Sequence, residues 1–261
     1  MSHPFLLHLQ VKKISMKKLV PFILLIAVIL SAFSFLYFSQ TKKIAILGDS
    51  LSEPGGVNTP TTEKYWYEFL DDDLNINYKT YAYSGNEWTD VLTQAQKAYS
   101  DQRKGNFEYD AIILFAGTND FYFNVPLGNF YKQVGNKRFL EYNENYFAGR
   151  LNKTLHYVKT RFPNAKIYVC NILHRGFAHG TPDELTANKE GLFVEEYSRM
   201  IDEATLRWSV HLIDLRRDSE LYPVHGNEQF FTNKDNDLLH ANKYGHRKIA
   251  DVIKNKLKDY N

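Results

Sequence analysis

Beyond Lys43 the chain alternates between short apolar runs and longer stretches with helical spacing. The run KIAILG at 43–48 predicts a first strand. In TTEKYWYEFLDDDL, 61–74, Tyr65, Trp66, Phe69 and Leu70 fall on one side of a predicted helix. NINYKTYAYSG at 75–85 predicts a second strand, and TDVLTQAQKAY at 89–99 a helix that Thr89 would cap. YDAIILFAGTND at 109–120 contains a third strand, apolar throughout and so expected to be covered on both faces. A long helix is expected over 139–162, a fourth strand over 166–173, a helix over 188–208, a fifth strand over 210–215 and a closing helix over 242–257. Such alternation predicts an α/β domain over 44–261, with a parallel five-stranded sheet covered by helices on both faces. In such sheets ligands sit at the carboxyl ends of the strands.

The segment ahead of Lys43 follows a different pattern. Residues 19–38 run for 20 positions without a charge. As a helix they would extend about 30 Å, the thickness of a bilayer's hydrocarbon core. Lys12, Lys13, Lys17 and Lys18 precede the run, and Lys42 and Lys43 follow it. The heavier positive flank predicts a cytoplasmic segment at 1–18, one transmembrane helix at 19–38 and an extracytoplasmic domain beyond it. The alternative is a signal peptide starting at Met16, cleaved to release a secreted domain. Its only small-residue cleavage pattern, Ala32-Phe33-Ser34, lies inside the apolar run.

The net charge of +2 needs correcting for residues 1–43, which hold six of the 32 basic residues and no acid. The remainder carries 26 basic against 30 acidic residues, a balance that gives no electrostatic footprint for nucleic acid. Aromatics make up 15% of the chain, and a bulky core is the expected use for them. Cys170 is the single cysteine; it lies in an apolar run and reads as a buried small hydrophobe. No cofactor is expected. His174, His179 and His225 lack the spacing of metal ligands, and His246 is expected to point away from His240.

Three polar or small residues follow the first three strands: Ser50, Gly85 and Asn119. All would lie on one rim. A serine oxygen becomes nucleophilic when a base takes its proton, and a carboxylate commonly orients that base. Asp237 and His240 are three apart, about one helical turn, so the carboxylate is expected to reach the imidazole. Backbone N–H groups at Ser50 and Gly85, with the Asn119 amide, are candidate donors to an oxyanion.

Taken together, GDSLS (48–52), YSGNEWTD (83–90), GTND (117–120) and DLLH (237–240) resemble the four sequence blocks of the SGNH, or GDSL-type, hydrolases. The likeness runs from Ile44 to the C-terminus. It implies a three-layer α/β/α fold of flavodoxin-like type and a serine esterase mechanism. Ser50 would be the nucleophile, His240 the base and Asp237 its partner. Gly85 and Asn119 would join the Ser50 N–H in the oxyanion hole, and Asp49 would be structural. Two departures stand out. Ala241 follows His240 where the family often has proline, and Pro54-Gly55-Gly56 lengthen the loop after Ser50. The expected activity is extracytoplasmic hydrolysis of acyl esters, acetyl esters above all, on a small-molecule or glycan acceptor. An acyltransferase, a lysophospholipase or lipase, and a non-enzymatic binding module on the same fold are the competing readings.

Overall fold

The computed structural model describes residues 20–21, 23–28, 41–55, 64–178 and 180–258. Segment 1–18, most of 19–38 and His179 therefore lie outside the described residues. Residues 20–21 and 23–28 are helical and exposed, and no helix among the described residues is long and apolar enough to cross a membrane. Contacts divide the chain into Met1–Thr41 and Lys42–Asn261.

The second unit is built on five parallel strands: β1 (Lys43–Gly48), β2 (Asn77–Thr80), β3 (Ala111–Phe115), β6 (Lys166–Cys170) and β7 (His211–Ile213). Their parallel arrangement is as the alternation predicts, and their order, β2-β1-β3-β6-β7, is that of the flavodoxin-like type the resemblance implies. Side chains along a strand point to opposite faces, so each inner strand feeds two cores. Ala45 and Leu47 pack with α2 (Trp88–Gly105), α4 (Phe147–Arg161) and α5 (Val194–Trp208). Ile44 and Ile46 pack with α1 (Trp66–Leu74) and α7 (Lys243–Lys258). Cys170 is buried in this second core, and burial pushes its thiol well up from the ordinary range. The strand order reverses between β1 and β3, the switch point at which α/β sheets open a crevice.

Thr89 does not cap α2, which starts at Trp88 with Glu87 at the cap, and two further elements depart from the sequence expectation. The helix expected from 139 begins only at Phe147, after a hairpin of β4 (Tyr131–Val134) and β5 (Lys137–Leu140). Gly135 takes a positive φ of 61° beside Asn136, which lets the chain reverse there. The helix can start at Phe147 because the carbonyls of Pro126 and Leu127 accept the N–H groups of Phe147 and Ala148, at 2.8 and 2.9 Å. The second departure is at 237–241. Those residues form β9 (Asp237–Ala241), antiparallel to β8 (Phe231–Asn233), rather than a helical turn. Short helices α3 (Thr118–Tyr122) and α6 (Leu215–Asp218) complete the unit.

Candidate active site

Ser50 stands just past β1, in a turn whose every corner is tied. Gly48 approaches β3 so closely that a Cβ there would lie 2.2 Å from the Phe115 carbonyl oxygen. The Asp49 carbonyl accepts from Ser52 N–H at 3.0 Å, and Asp49 Oδ1 from Leu51 N–H at 3.0 Å. Trp66 of α1 donates to Leu51 O at 3.1 Å, and Thr80 of β2 to Ser52 O at 2.9 Å. The turn thus projects Ser50 while burying Asp49 completely.

Ser50 Oγ lies 2.9 Å from His240 Nε2. On the other side of the ring, His240 Nδ1 lies 2.9 Å from Asp237 Oδ2 and 3.0 Å from Oδ1. A carboxylate at Nδ1 assigns the proton to that nitrogen and leaves Nε2 to accept from Ser50. The pairing of Asp237 with His240 is therefore as expected, but its local cause is different. Asp237 Oδ1 accepts the N–H groups of Leu239 and His240, at 3.1 and 3.0 Å, and curls the strand until the two side chains meet. Leu238 in turn exchanges backbone hydrogen bonds of 2.9 Å with Gly176 and Phe177, in the loop after β6. Burial alone would raise the Asp237 carboxyl. The hydrogen bond and charge of His240, with the two N–H groups, outweigh it and hold the group at about 2.

Gly85 and Asn119 come to the same rim. Gly85 has φ of 79°, with open space where a Cβ would stand, in a turn closed by Asn86 N–H on Tyr83 O at 3.2 Å. Asn119 lies in the first turn of α3, and its Nδ2 donates to Asn86 O at 2.9 Å. One proton of that amide is thus committed to the Gly85 turn.

Gln94 was not singled out from the sequence, yet it joins these parts. Its Oε1 accepts from Gly48 N–H at 2.7 Å, and its Nε2 donates to Gly48 O and to Asn86 Oδ1, each at 2.8 Å. A polar residue within the buried stripe Val91, Gln94, Ala95, Ala98 of α2 was the available signal. Arg150 is a second such residue. From α4 it bonds Asp120 Oδ1 at 2.8 Å and Glu87, while Asp120 Oδ2 accepts Trp88 N–H at 3.1 Å. Burial raises the Asp120 carboxyl to about 7, against the pull of Arg150.

Of the other described histidines, His246 lies near enough to feel the charge of His240, while His174 and His225 are paired elsewhere. His246 is buried on α7 against Tyr65, with ring centroids 5.0 Å apart. Burial, then the nearby His240, lowers it to about 3. His174 pairs with Glu184 at 2.7 Å, and His225 packs on Tyr222. Among the described residues no three His, Cys, Asp or Glu side chains are placed to hold a metal ion.

A serine, an imidazole and a buried carboxylate in one hydrogen-bonded series have the geometry for acyl transfer. Comparison with known proteins agrees. The profile of the GDSL-like Lipase/Acylhydrolase family matches residues 46–248. No curated protein matches the chain. Among solved structures, a protein from Lactobacillus plantarum is similar at 23% identity and TM-score 0.69, over 85% of this chain and 99% of that one. The lipase/acylhydrolase from Enterococcus faecalis is similar at 14% identity and TM-score 0.58, over 84% and 96%. A member of the lipolytic G-D-S-L family from Veillonella parvula is similar at 15% identity and TM-score 0.52, over 84% and 98%. Likeness at these identities speaks for the fold.

Proposed function

We propose a division of labour and a substrate class for a chain that belongs to the GDSL-like Lipase/Acylhydrolase family and is, by that membership, a serine ester hydrolase. The observation that carries the division of labour is the unbroken series from Ser50 Oγ through the His240 ring to Asp237. Ser50 Oγ attacks the ester carbonyl carbon as its proton passes to His240 Nε2. The carbonyl oxygen becomes an oxyanion facing Asn119 Nδ2 and the N–H groups of Ser50 and Gly85. As the tetrahedral species collapses, the ester C–O bond breaks and Nε2 gives its proton to the departing alcohol. Water then repeats the cycle on the acyl-enzyme and releases the acid. Asp237 fixes the ring and stabilises the imidazolium.

The acyl group is short, acetyl in the leading case. Cavities of about 430 and 440 Å³ lie beside the β4–β5 hairpin and at the end of α2, and neither is lined by Ser50, Asn119 or His240. A long chain attached at Ser50 gains no burial from them. The acceptor is a glycan. Exposed rings stand on loops that leave the carboxyl ends of the sheet strands: Tyr83 after β2, Phe123 after β3 and Phe177 after β6. Aromatic faces of this kind offer an apolar platform with polar edges nearby. The uncharged run at 19–38 between lysine clusters supports a membrane anchor that holds the domain outside the cytoplasm.

The test is a panel of 4-nitrophenyl esters graded from two to sixteen carbons, run beside acetylated polysaccharides and lysophospholipids, with Ser50→Ala as control. Acetyl esters and acetylated glycan should be cleaved best. Preference for long-chain lysophospholipid would replace this reading with a lipase, and turnover unaffected by Ser50→Ala would remove the nucleophile.

A further inference from the structure

Arg175, in the loop after β6, is only 1% exposed, and nothing in the acyl-transfer scheme uses it. Burying a guanidinium is costly unless other groups answer its charge. Its Nη1 donates to Thr118 Oγ1 at 2.6 Å and to Thr118 O at 3.4 Å. Nη2 donates to Thr181 Oγ1, and the guanidinium lies 5.5 Å from the centre of the Phe121 ring. Its Nε is buried without a hydrogen-bond partner. Two other orphans belong to groups whose charge acts on Arg175: Glu184 Oε1, and Asp49 Oδ2, buried immediately before the nucleophile. The charges that act on Arg175 are Asp49, Asp183, Asp237 and Glu184. Those that act on Asp49 are His240 and Arg175, together with the Leu51 N–H.

We propose that Asp49 and Arg175 form a fixed dipole beneath the site, its negative end under Ser50 and His240 and its positive end under Thr118 and Asn119. The proposal rests on the roles given above to Ser50, His240 and Asn119. Acylation separates charge in the same sense. A proton reaches His240, and a negative charge develops on the carbonyl oxygen beside Asn119. A carboxylate at one end and a guanidinium at the other stabilise both without moving, which is how preorganised charge lowers a barrier. Both are positioning residues, since neither touches the substrate. The dipole also explains why Asp49 is buried with an unbonded oxygen. Full hydrogen bonding at Oδ2 would spend the field on the protein instead of directing it at the imidazole.

The experiment uses the full chain, with 4-nitrophenyl acetate hydrolysis followed against pH. The variants are Arg175→Gln, Arg175→Lys and Asp49→Asn, beside Ser50→Ala. Arg175→Gln should lower kcat by roughly 10–100-fold with KM changed less than about twofold, and Arg175→Lys should restore most of the loss. Among the described residues, the charged and titratable groups near the imidazole include Asp237 on β9, Asp49 after β1 and His246 on α7. Removing a positive charge favours the imidazolium, so the acid limb of kcat/KM should move to higher pH in Arg175→Gln. Removing the negative charge in Asp49→Asn should move it to lower pH. Opposite displacements are not produced by simple loosening of the fold. Limbs that move together, or that stay where they are, overturn the proposal, as does an Arg175→Gln enzyme with more than half the wild-type kcat. If Arg175→Gln does not fold, Asp49→Asn and Arg175→Lys still decide: an unmoved limb in the first or a collapse of kcat in the second overturns it. Turnover surviving in Ser50→Ala would strike the underlying assignment of the nucleophile instead.

Discussion

The turn after β1 and the turn after β3 are built alike and work differently. Each leaves a strand that is almost wholly buried, each carries a polar residue at the rim, and each buries an aspartate: Asp49 beside Ser50, Asp120 beside Asn119. Asp120 is answered on both oxygens, by Arg150 and by Trp88 N–H. Asp49 is bonded on one oxygen only, and its other oxygen is buried without a partner. The difference separates a carboxylate that holds two elements together from one kept as an unspent charge.

The largest effect belongs to the first turn. Ser50→Ala should cost roughly four to six powers of ten in kcat on a simple ester, with no loss of thermal stability, because members of a triad fail as a unit. Retention of more than a tenth of the rate would place the nucleophile elsewhere. The second turn should answer in stability. Asp120→Ala takes one of two carboxylates from Arg150 and leaves the Trp88 N–H unbonded, and unfolding in urea should show a loss of about 1–3 kcal/mol. A loss under about 1 kcal/mol would make the two aspartates equivalent. Asn119→Ala sits between these cases, and kcat should drop by roughly 10²–10³ with KM little changed. An effect confined to KM would remove the amide from the oxyanion hole.

The smallest effect is a pH dependence at Asp49. Burial raises this carboxyl from 3.8 to about 6 in the folded protein. A raised carboxyl means that the protonated form is favoured by folding. The contribution of Asp49 to stability is therefore greatest below about pH 4 and declines as pH rises to about 6. Asp49→Asn removes that decline, so between pH 4 and pH 7 the variant should gain on the wild type by about 2 kcal/mol in urea titrations. A constant difference across that range would mean that Asp49 is no more penalised by burial than an exposed carboxylate.

Much of this was readable before any coordinates. The five strands announce themselves because a strand covered on both faces has to be apolar throughout, as AIILF is at 111–115. The rim residues follow from strand ends, and Ser50, Asn119, Asp237 and His240 belong to short blocks that carry their own spacing. The hairpin at 131–140 was hidden because its residues are mostly exposed and have no core face to impose alternation. Gln94 and Arg175 were hidden for another reason. Their partners are far away in the chain, Gly48 at 46 residues and Thr118 at 57. Buried polar residues of that kind are specified by the pairs they make. Asp237 and His240 were paired correctly on the wrong grounds, since a carboxylate bonded to two N–H groups brings i and i+3 together on a strand as a helix would.

The strand that delivers His240 has a further consequence. Ser50 and His240 are 190 residues apart, and β9 is held by β8 and by the loop after β6, outside the five-stranded sheet. Closing so long a loop is slow, and contacts of high sequence separation form late in folding. A chain still emerging from its synthesis can therefore complete all five sheet strands and remain chemically inert, and its reactivity toward esters begins only when the β8–β9 pair, Phe231 to Ala241, has docked.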